Sequence, residues 1–421
     1  MTGIEPIQNT KQKLDTPFFL NYFITTLVFI MQIKSSYDVI IVGAGIAGLL
    51  TALRLAQCDM TVLVIDKERI GNGSTLSNHG MIHSGALYVK QHEHVVGNLQ
   101  KTQMAFSLLL SEAELPCKPS VYLAPEGEIE DFTRLLSKYS FNHKEVEITD
   151  IPELRSQMLR DYKSVLIRER TFSSMRILEL LTSFCLAENV DFLLHTPITN
   201  LLIKDKTVQG VQTAIGNQIL TKCVILANGL GIPHLLQTFA SEYSQTIKSR
   251  LDIMVYLPKT KLKRGIIFSH LDKPVVMPTE SNAALGSYYG GVQPEIRNER
   301  KFAVDFDKAR LLIEMINSYF SSDHINTQQA KFWMCGKVDF IGDDRAEQGY
   351  VNPGHKVINH DDRDSISGLQ SIITGKMSLA FHASKEAAEN VIGKRLKLEV
   401  NANDKKTVPK EMMSVAPWHE I

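Results

Sequence analysis

An α/β fold in two domains, one a three-layer parallel-sheet unit and the other mostly antiparallel sheet, is what the sequence predicts, and three observations predict it. The first is length, because 421 residues exceed the usual size of a single domain. The second is a βαβ pattern at Tyr37 to Glu68, "YDVIIVGAGIAGLLTALRLAQCDMTVLVIDKE". The third is a change of texture from about Ser249 to Lys337. There the extended runs "LDIMVYL", "RGIIFS", "PVVMPT" and "AALGSYYGG" precede one helical stretch, "DKARLLIEMINSYF".

Composition sets the outer limits. Hydrophobic residues make up 44% and charged residues 22%, which suits a folded chain and not extended disorder. Lys+Arg and Asp+Glu both number 46, and no basic run is long enough to track a phosphate backbone, so nucleic acid is not an expected partner. The 5 cysteines are scattered without a C-x-x-C pair, so neither a disulfide framework nor a metal site is expected. That usage fits a reducing, cytoplasmic compartment.

The N-terminal residues 1–36 read as an extension or tether. Phe18 to Met31, "FFLNYFITTLVFIM", is apolar but shorter than the roughly 20 residues of a spanning helix. Four readings stay open: a start site at Met31, a poorly ordered extension, a signal peptide lacking its small-residue cleavage site, and a membrane-surface anchor.

Within the βαβ pattern, Val39 to Val42 is a short apolar run of the kind buried in parallel sheets, and a helix pattern starts at Ile46. A second apolar run, Thr61 to Ile65, ends on Asp66. Between them stands Gly43-x-Gly45-x-x-Gly48, and the acid about 20 residues on completes a Rossmann-like dinucleotide fingerprint. Gly43 is expected to allow the tight turn, Gly45 the approach of a pyrophosphate to the helix start at Ile46 and Ala47, and Gly48 close helix–strand packing. Asp66, beside Lys67, is expected on a ribose.

Further on, "MRILELLTSFCLAENV" reads as a helix, followed by strands at Asp191 to His195 and Ile198 to Lys204 and, after a hairpin-like return, at Cys223 to Ala227. All are expected to extend the same sheet, bringing Ile198, Ala227, Asn228 and Gly229 to the cofactor. Residues 37–115, 150–245 and 337–398 are thus assigned to the cofactor domain and 116–149 and 246–336 to a substrate domain. Residues 399–421 lack periodicity and read as a tail.

From about Tyr37 to Leu396 the chain resembles the FAD-dependent oxidoreductases of the D-amino-acid-oxidase type, also called the glutathione-reductase-2 group. Within that group it is similar to flavin-dependent glycerol-3-phosphate dehydrogenases and L-2-hydroxyglutarate oxidases. Two motifs beyond the glycines carry the resemblance. "GSTLSNHGMIHSGALYVK" is similar to the family segment that runs along the flavin, and its "IHSG" stands beside the "IHAG" and "IHGG" of those two groups. "GLQSIITGKMSLAFHASKEAAENVIGKRL" is similar to the family's closing Gly-Lys turn and helix.

The resemblance implies FAD as cofactor, with an FAD-binding Rossmann-like domain of three layers. Besides the glycine motif, it implies contacts from Ser74, Thr75, Asn78, His79, Gly80 and Met81, and from Gly375, Lys376, Met377 and Ser378. Gly80, Ser84 and Gly85 are expected to let backbone pass close to the flavin. His83 is the expected proton acceptor, since an imidazole with a pKa near ~6.5 exchanges protons around neutrality. A purely structural role, holding the loop by hydrogen bonds, stays open for both His79 and His83.

Two departures bear on the substrate. Leu87 stands where the glycerophosphate enzymes have an arginine before the tyrosine, and "CGKVDF" puts Lys337 at the place of the arginine in "G-V-R-P". Lys337 is therefore expected as the only strong cation of the substrate cavity, a point charge without arginine's bidentate fork. Tyr88, with Tyr288 or Tyr289, is expected to cap the substrate, unless these rings only pack.

The implied activity is hydride transfer from a small 2-hydroxy acid or amino acid, a carboxylate or amine substrate, to FAD. The alternatives are a glycerol-3-phosphate dehydrogenase-like enzyme or subunit passing electrons to a quinone at a membrane surface, and a flavin hydroxylase using NADPH, whose Gly-Asp signature "FIGDDR" resembles only superficially, since Asp-Arg and "EQGYVNPGH" follow in place of a helix rich in small residues. A non-catalytic protein of the same fold is a further reading. The sequence leaves the oligomeric state open.

Overall fold

The computed structural model describes residues 33–288, 292–293, 302–342, 353–400 and 404–420. The apolar run at Phe18 to Met31, Tyr289 and the last three residues of "FIGDDR" lie outside them. Among the described residues no helix is long and apolar enough to cross a membrane.

The cofactor sheet has six strands in the order Lys356–Asn359, Leu369–Ile373, Val224–Leu226, Val39–Val42, Val62–Ile65, Asp191–Leu193. All neighbours are parallel except the first pair. Side chains alternate between the two faces, as strand geometry requires. Val39, Ile41, Val62 and Val64 share one core cluster with the helices Ile46–Ala56, Ser174–Ala187 and Ala380–Ile392. Ile40, Val42, Leu63 and Ile65 share another with Val208, Val211 and Ile219. The first helix is buried at every position because the sheet and both other helices enclose it, which is why its sequence is apolar on all sides except for Thr51 and Arg54.

The third layer corrects one expectation. Ile198–Lys204 does not extend the cofactor sheet; with Thr207–Thr213 and Gln218–Leu220 it forms a separate antiparallel meander on the sheet's other face. Apolar residues in alternation, as in a two-faced strand, mark such a layer, whereas the parallel strands are apolar throughout.

The second large sheet has nine strands and is antiparallel except where Ile266–Phe268 runs parallel to Ser120–Pro125. It draws on more of the chain than the expected substrate segments. Tyr162–Ile167 joins it, and Lys331–Phe340, which spans the expected boundary at 336/337, flanks Ile247–Leu257 along nearly its whole length. The helix Phe306–Tyr319 packs on this sheet through Ala309, Leu312 and Ile316.

Residues 404–420, expected as part of a tail, are packed. Met412 and Met413 enter the core around the first helix, and Met413 bridges to Ile70. Trp418 stacks on Tyr256 at 5.9 Å with an interplanar angle of 6° and lies 5.4 Å from Trp333.

Candidate active site

A cavity of about 850 Å³ lies outside the carboxyl ends of the parallel strands and is closed on its far side by the nine-stranded sheet. This is the crevice where α/β sheets bind their ligands.

At one end the glycine motif forms its wall. Gly43 sits at φ 114°, and a Cβ there would stand 2.6 Å from the Ala227 carbonyl oxygen. A Cβ on Gly48 would stand 1.9 Å from the carbonyl oxygen of Gly43, so helix and turn touch as expected. Gly45 differs: a Cβ there would meet only Thr75 Oγ1, at 3.2 Å, and otherwise faces the cavity. The loop is held by Asp66, whose Oδ2 accepts from Ala44 N at 2.7 Å and whose Oδ1 accepts from Glu68 N at 2.9 Å. Burial pushes the Asp66 carboxyl up to about 6. Ile46 N donates to Thr75 Oγ1 at 3.2 Å.

The other expected cofactor residues fall into two groups. Ile46, Ala47, Lys67, Ile198, Ala227, Asn228 and Gly229 line the cavity, as do Ser74, Thr75, Asn78, His79 and Met81 and, opposite, Gly375, Lys376 and Met377. Gly80, Ser84, Gly85 and Ser378 do not line it. Gly80 is a glycine because a Cβ would stand 2.2 Å from the Phe172 carbonyl oxygen, so its close approach is to protein and not to cofactor. Gly85, at φ 106°, packs on Val96. Ser378 Oγ accepts from His83 N at 2.9 Å.

Two side chains hold the histidine loop in shape. Asn78 Nδ2 donates to the carbonyl oxygens of Ser74 and Thr75, at 3.0 and 2.6 Å, while its Oδ1 accepts from Gly80 N at 2.7 Å. Glu169, missed in the sequence, is buried behind the loop. It accepts from Ser84 N at 2.8 Å, and from Ser84 Oγ and the Tyr122 hydroxyl at 2.5 Å each.

His83 reaches the cavity wall from this loop, edge-on to Tyr88 at 5.3 Å and to His79 at 5.9 Å. Its Nδ1 is buried without a hydrogen-bond partner. Burial first, then His79 and the charges of Lys376 and Lys337, hold its pKa well below the ordinary imidazole range. Burial and the same two lysines bring His79 down to about 3. The expectation of a histidine titrating near neutrality is therefore corrected: both rings are neutral there. Lys376 Nζ lies 5.7 Å from the centre of the Tyr88 ring, and burial, followed by Arg250 and Lys337, pushes it down to about 7.

The substrate end holds a second correction. Lys337 lines the cavity but is not its only cation, because Arg250 and Lys376 line it too. Arg250 stands directly across the strand pair from Lys337, so the alternating residues Arg250, Asp252, Lys337 and Asp339 project from one face. Arg250 Nε donates to Asp339 Oδ2 at 2.7 Å and its Nη1 to Asp252 Oδ1 at 2.5 Å, while Lys337 Nζ donates to Asp252 Oδ2 at 2.6 Å. Burial alone would raise the Asp252 pKa, but Arg250 and Lys337 outweigh it and hold the carboxylate below its ordinary range. Charges at i and i+2 in both "RLDIM" and "KVDF" were the available signal for this cluster. Leu87 lies in the apolar part of the wall, and Tyr288 lines the cavity as well.

Comparison with known proteins gives this geometry its family. Residues 38–360 match the family model described as FAD dependent oxidoreductase, the DAO family. The chain belongs to that family. It is 21% identical over 399 residues to the aerobic glycerol-3-phosphate dehydrogenase of Staphylococcus haemolyticus, covering 87% of this chain and 68% of that one. Among solved structures, L-proline dehydrogenase from P. horikoshii aligns at a TM-score of 0.67 and 17% identity, covering 87% of this chain and 96% of that one. Glycine oxidase from Geobacillus kaustophilus aligns at 0.65 and 14%, covering 87% and 97%. These two likenesses show the fold, an FAD-binding domain joined to a substrate domain.

The residues present fit FAD. The open face of Gly45 leaves room where a pyrophosphate must approach, and the cavity also holds a buried Asn228 Oδ1 and His83 Nδ1 without partners. This FAD-dependent oxidoreductase thus combines a dinucleotide cradle with a charged, histidine-bearing chamber. The family assignment gives no support to the flavin hydroxylase alternative.

Proposed function

We propose that this enzyme oxidises a small 2-hydroxy or 2-amino monocarboxylic acid. The observation that carries the reading is the placement of His83 in one cavity with the Lys337 and Arg250 cations. In this reading Gly43, Gly45 and Asp66 hold the pyrophosphate and ribose of FAD, and the turn Gly375–Met377 with the Ser74–Met81 loop holds the flavin. When bound, FAD accepts the two electrons leaving the substrate as hydride.

The chain's own side chains do the rest. Lys337 takes the substrate carboxylate, and the apolar Leu87 turns the α-carbon away from the charged wall. His83 accepts the proton of the adjoining hydroxyl or ammonium. A base must be unprotonated to act, and burial keeps this imidazole in its accepting form throughout the neutral range. Tyr88, held between His83 and Lys376, closes the chamber against water.

A second reading is oxidation of glycerol 3-phosphate, with a quinone as acceptor; the similarity to the Staphylococcus enzyme favours its substrate. Leu87 and the pairing of Lys337 with Asp252 speak against a dianionic phosphate. The deciding experiment is anaerobic bleaching of the bound flavin's visible band by hydroxy acids, amino acids and polyol phosphates. The reading expects an acid of the first two classes to bleach it fastest, and a polyol phosphate in that place would establish the second reading.

A further inference from the structure

The four charges on the two paired strands are too closely matched to be a simple anion hole. Arg250 and Lys337 carry two positive charges, and Asp252 and Asp339 carry two negative ones within hydrogen-bond distance of them. Arg250, Asp252 and Asp339 are almost fully buried and Lys337 is half-buried, so solvent screens this group only weakly. Lys376 lines the same cavity, and while it is protonated these five side chains carry a single positive excess.

Asp252 occupies the centre of this arrangement. It is the only one of the two carboxylates that both lines the cavity and binds two cations. Asp339 bonds Arg250 alone from behind, and its Oδ1 is buried without a partner. Removing the charge of Asp252 would double the positive excess without removing any cation.

Resting on the proposed acid oxidation, we infer that Asp252 is a specificity-determining residue: it sets the charge of the substrate chamber so that a monoanion is accepted and a dianion is not. Asp252 does not touch the substrate. It acts by neutralising part of the Arg250–Lys337 field and by holding the Lys337 ammonium in one place. Lys337 is then free to turn one remaining donor direction to a carboxylate, since an ammonium has three.

The test compares binding of propanoate and butanedioate to the FAD-loaded protein, read from perturbation of the flavin's visible spectrum. Neither acid carries a hydroxyl or amine to be oxidised, so the result stands even if 2-hydroxy and 2-amino acids prove not to be substrates. The pH is kept below the Lys376 midpoint of about 7. Asp252→Asn should shift the ratio of affinities toward butanedioate by about ten- to a hundred-fold, the effect of one unit charge at close range in a partly shielded site. Adding Lys337→Gln to that variant restores the net charge and should return the ratio to within about three-fold of wild type, although both acids bind more weakly. A purely structural role for Asp252 would not be rescued in this way. An unchanged ratio in flavin-loaded Asp252→Asn, or no return in the double variant, overturns the inference. If Asp252→Asn loses its flavin, Lys337→Gln alone decides: it must move the ratio toward propanoate about ten-fold or more, and an unmoved ratio again overturns the inference.

Discussion

The carbonyl oxygen of Gly43 lies 1.9 Å from where a Cβ on residue 48 would stand, whereas the Cβ position of Gly45 opens into the cavity. Two glycines of one motif therefore serve different ends, and their variants should fail differently. Gly48→Ala forces backbone apart in a packed core and should destabilise the protein by about 1–3 kcal/mol, seen as a lowered unfolding midpoint with or without flavin. Gly45→Val should leave the apoprotein's midpoint within about 1 kcal/mol of wild type and yield colourless protein. Equal loss of stability in both would show that Gly45 is also a packing glycine.

Acid should weaken the fold through the histidine loop. The folded pKa of His79 is about 3, against roughly 6.5 unfolded, so the fold prefers its neutral form. Its contribution is whole above pH ~6.5 and declines as pH falls from there toward about 3. Asp66, raised to about 6, titrates in the opposite sense, so total stability alone does not isolate the histidine. The difference between wild type and His79→Gln does. Urea midpoints should show wild type losing stability faster than the variant below pH ~6.5. Parallel curves would mean that the imidazole is not kept neutral by its surroundings.

The strap at 404–420 should govern flavin retention. Val415, Pro417 and Glu420 line the cavity, and Lys331 Nζ donates to the Trp418 carbonyl oxygen at 2.9 Å. Trp418→Ala removes the stack on Tyr256 and Trp333, worth about 0.5–1.5 kcal/mol beyond simple burial, and should speed flavin loss on dialysis by up to about ten-fold. An unchanged rate would make the strap a passive cover.

How far the sequence revealed this site follows from the range over which each signal acts. The dinucleotide cradle was legible because its constraints are local: turn, helix start and acid lie within one βαβ unit, and each needs a particular residue type. The charged face was not. Arg250 and Lys337 are neighbours only through strand pairing across 87 positions, and the sequence showed Lys337 without its partner Asp252. Glu169 was hidden for the same reason, being a buried carboxylate whose partners Ser84 and Tyr122 come from elsewhere. The strap had no period to read, because Met412, Met413 and Trp418 anchor it singly. The low basicity of His83 is not legible in the sequence because desolvation depends on the whole surrounding wall.

The most direct test of the central claim is anaerobic flavin reduction by the best 2-hydroxy or 2-amino acid in wild type and Lys337→Ala. Asp252 keeps its bond to Arg250 in the variant, so flavin content should be unchanged. Loss of a charged partner in a desolvated site costs on the order of 2–5 kcal/mol, and the acid should bind at least about 30-fold more weakly. Reduction of Lys337→Ala as readily as wild type, or faster reduction of the wild-type flavin by glycerol 3-phosphate than by any such acid, would contradict the account.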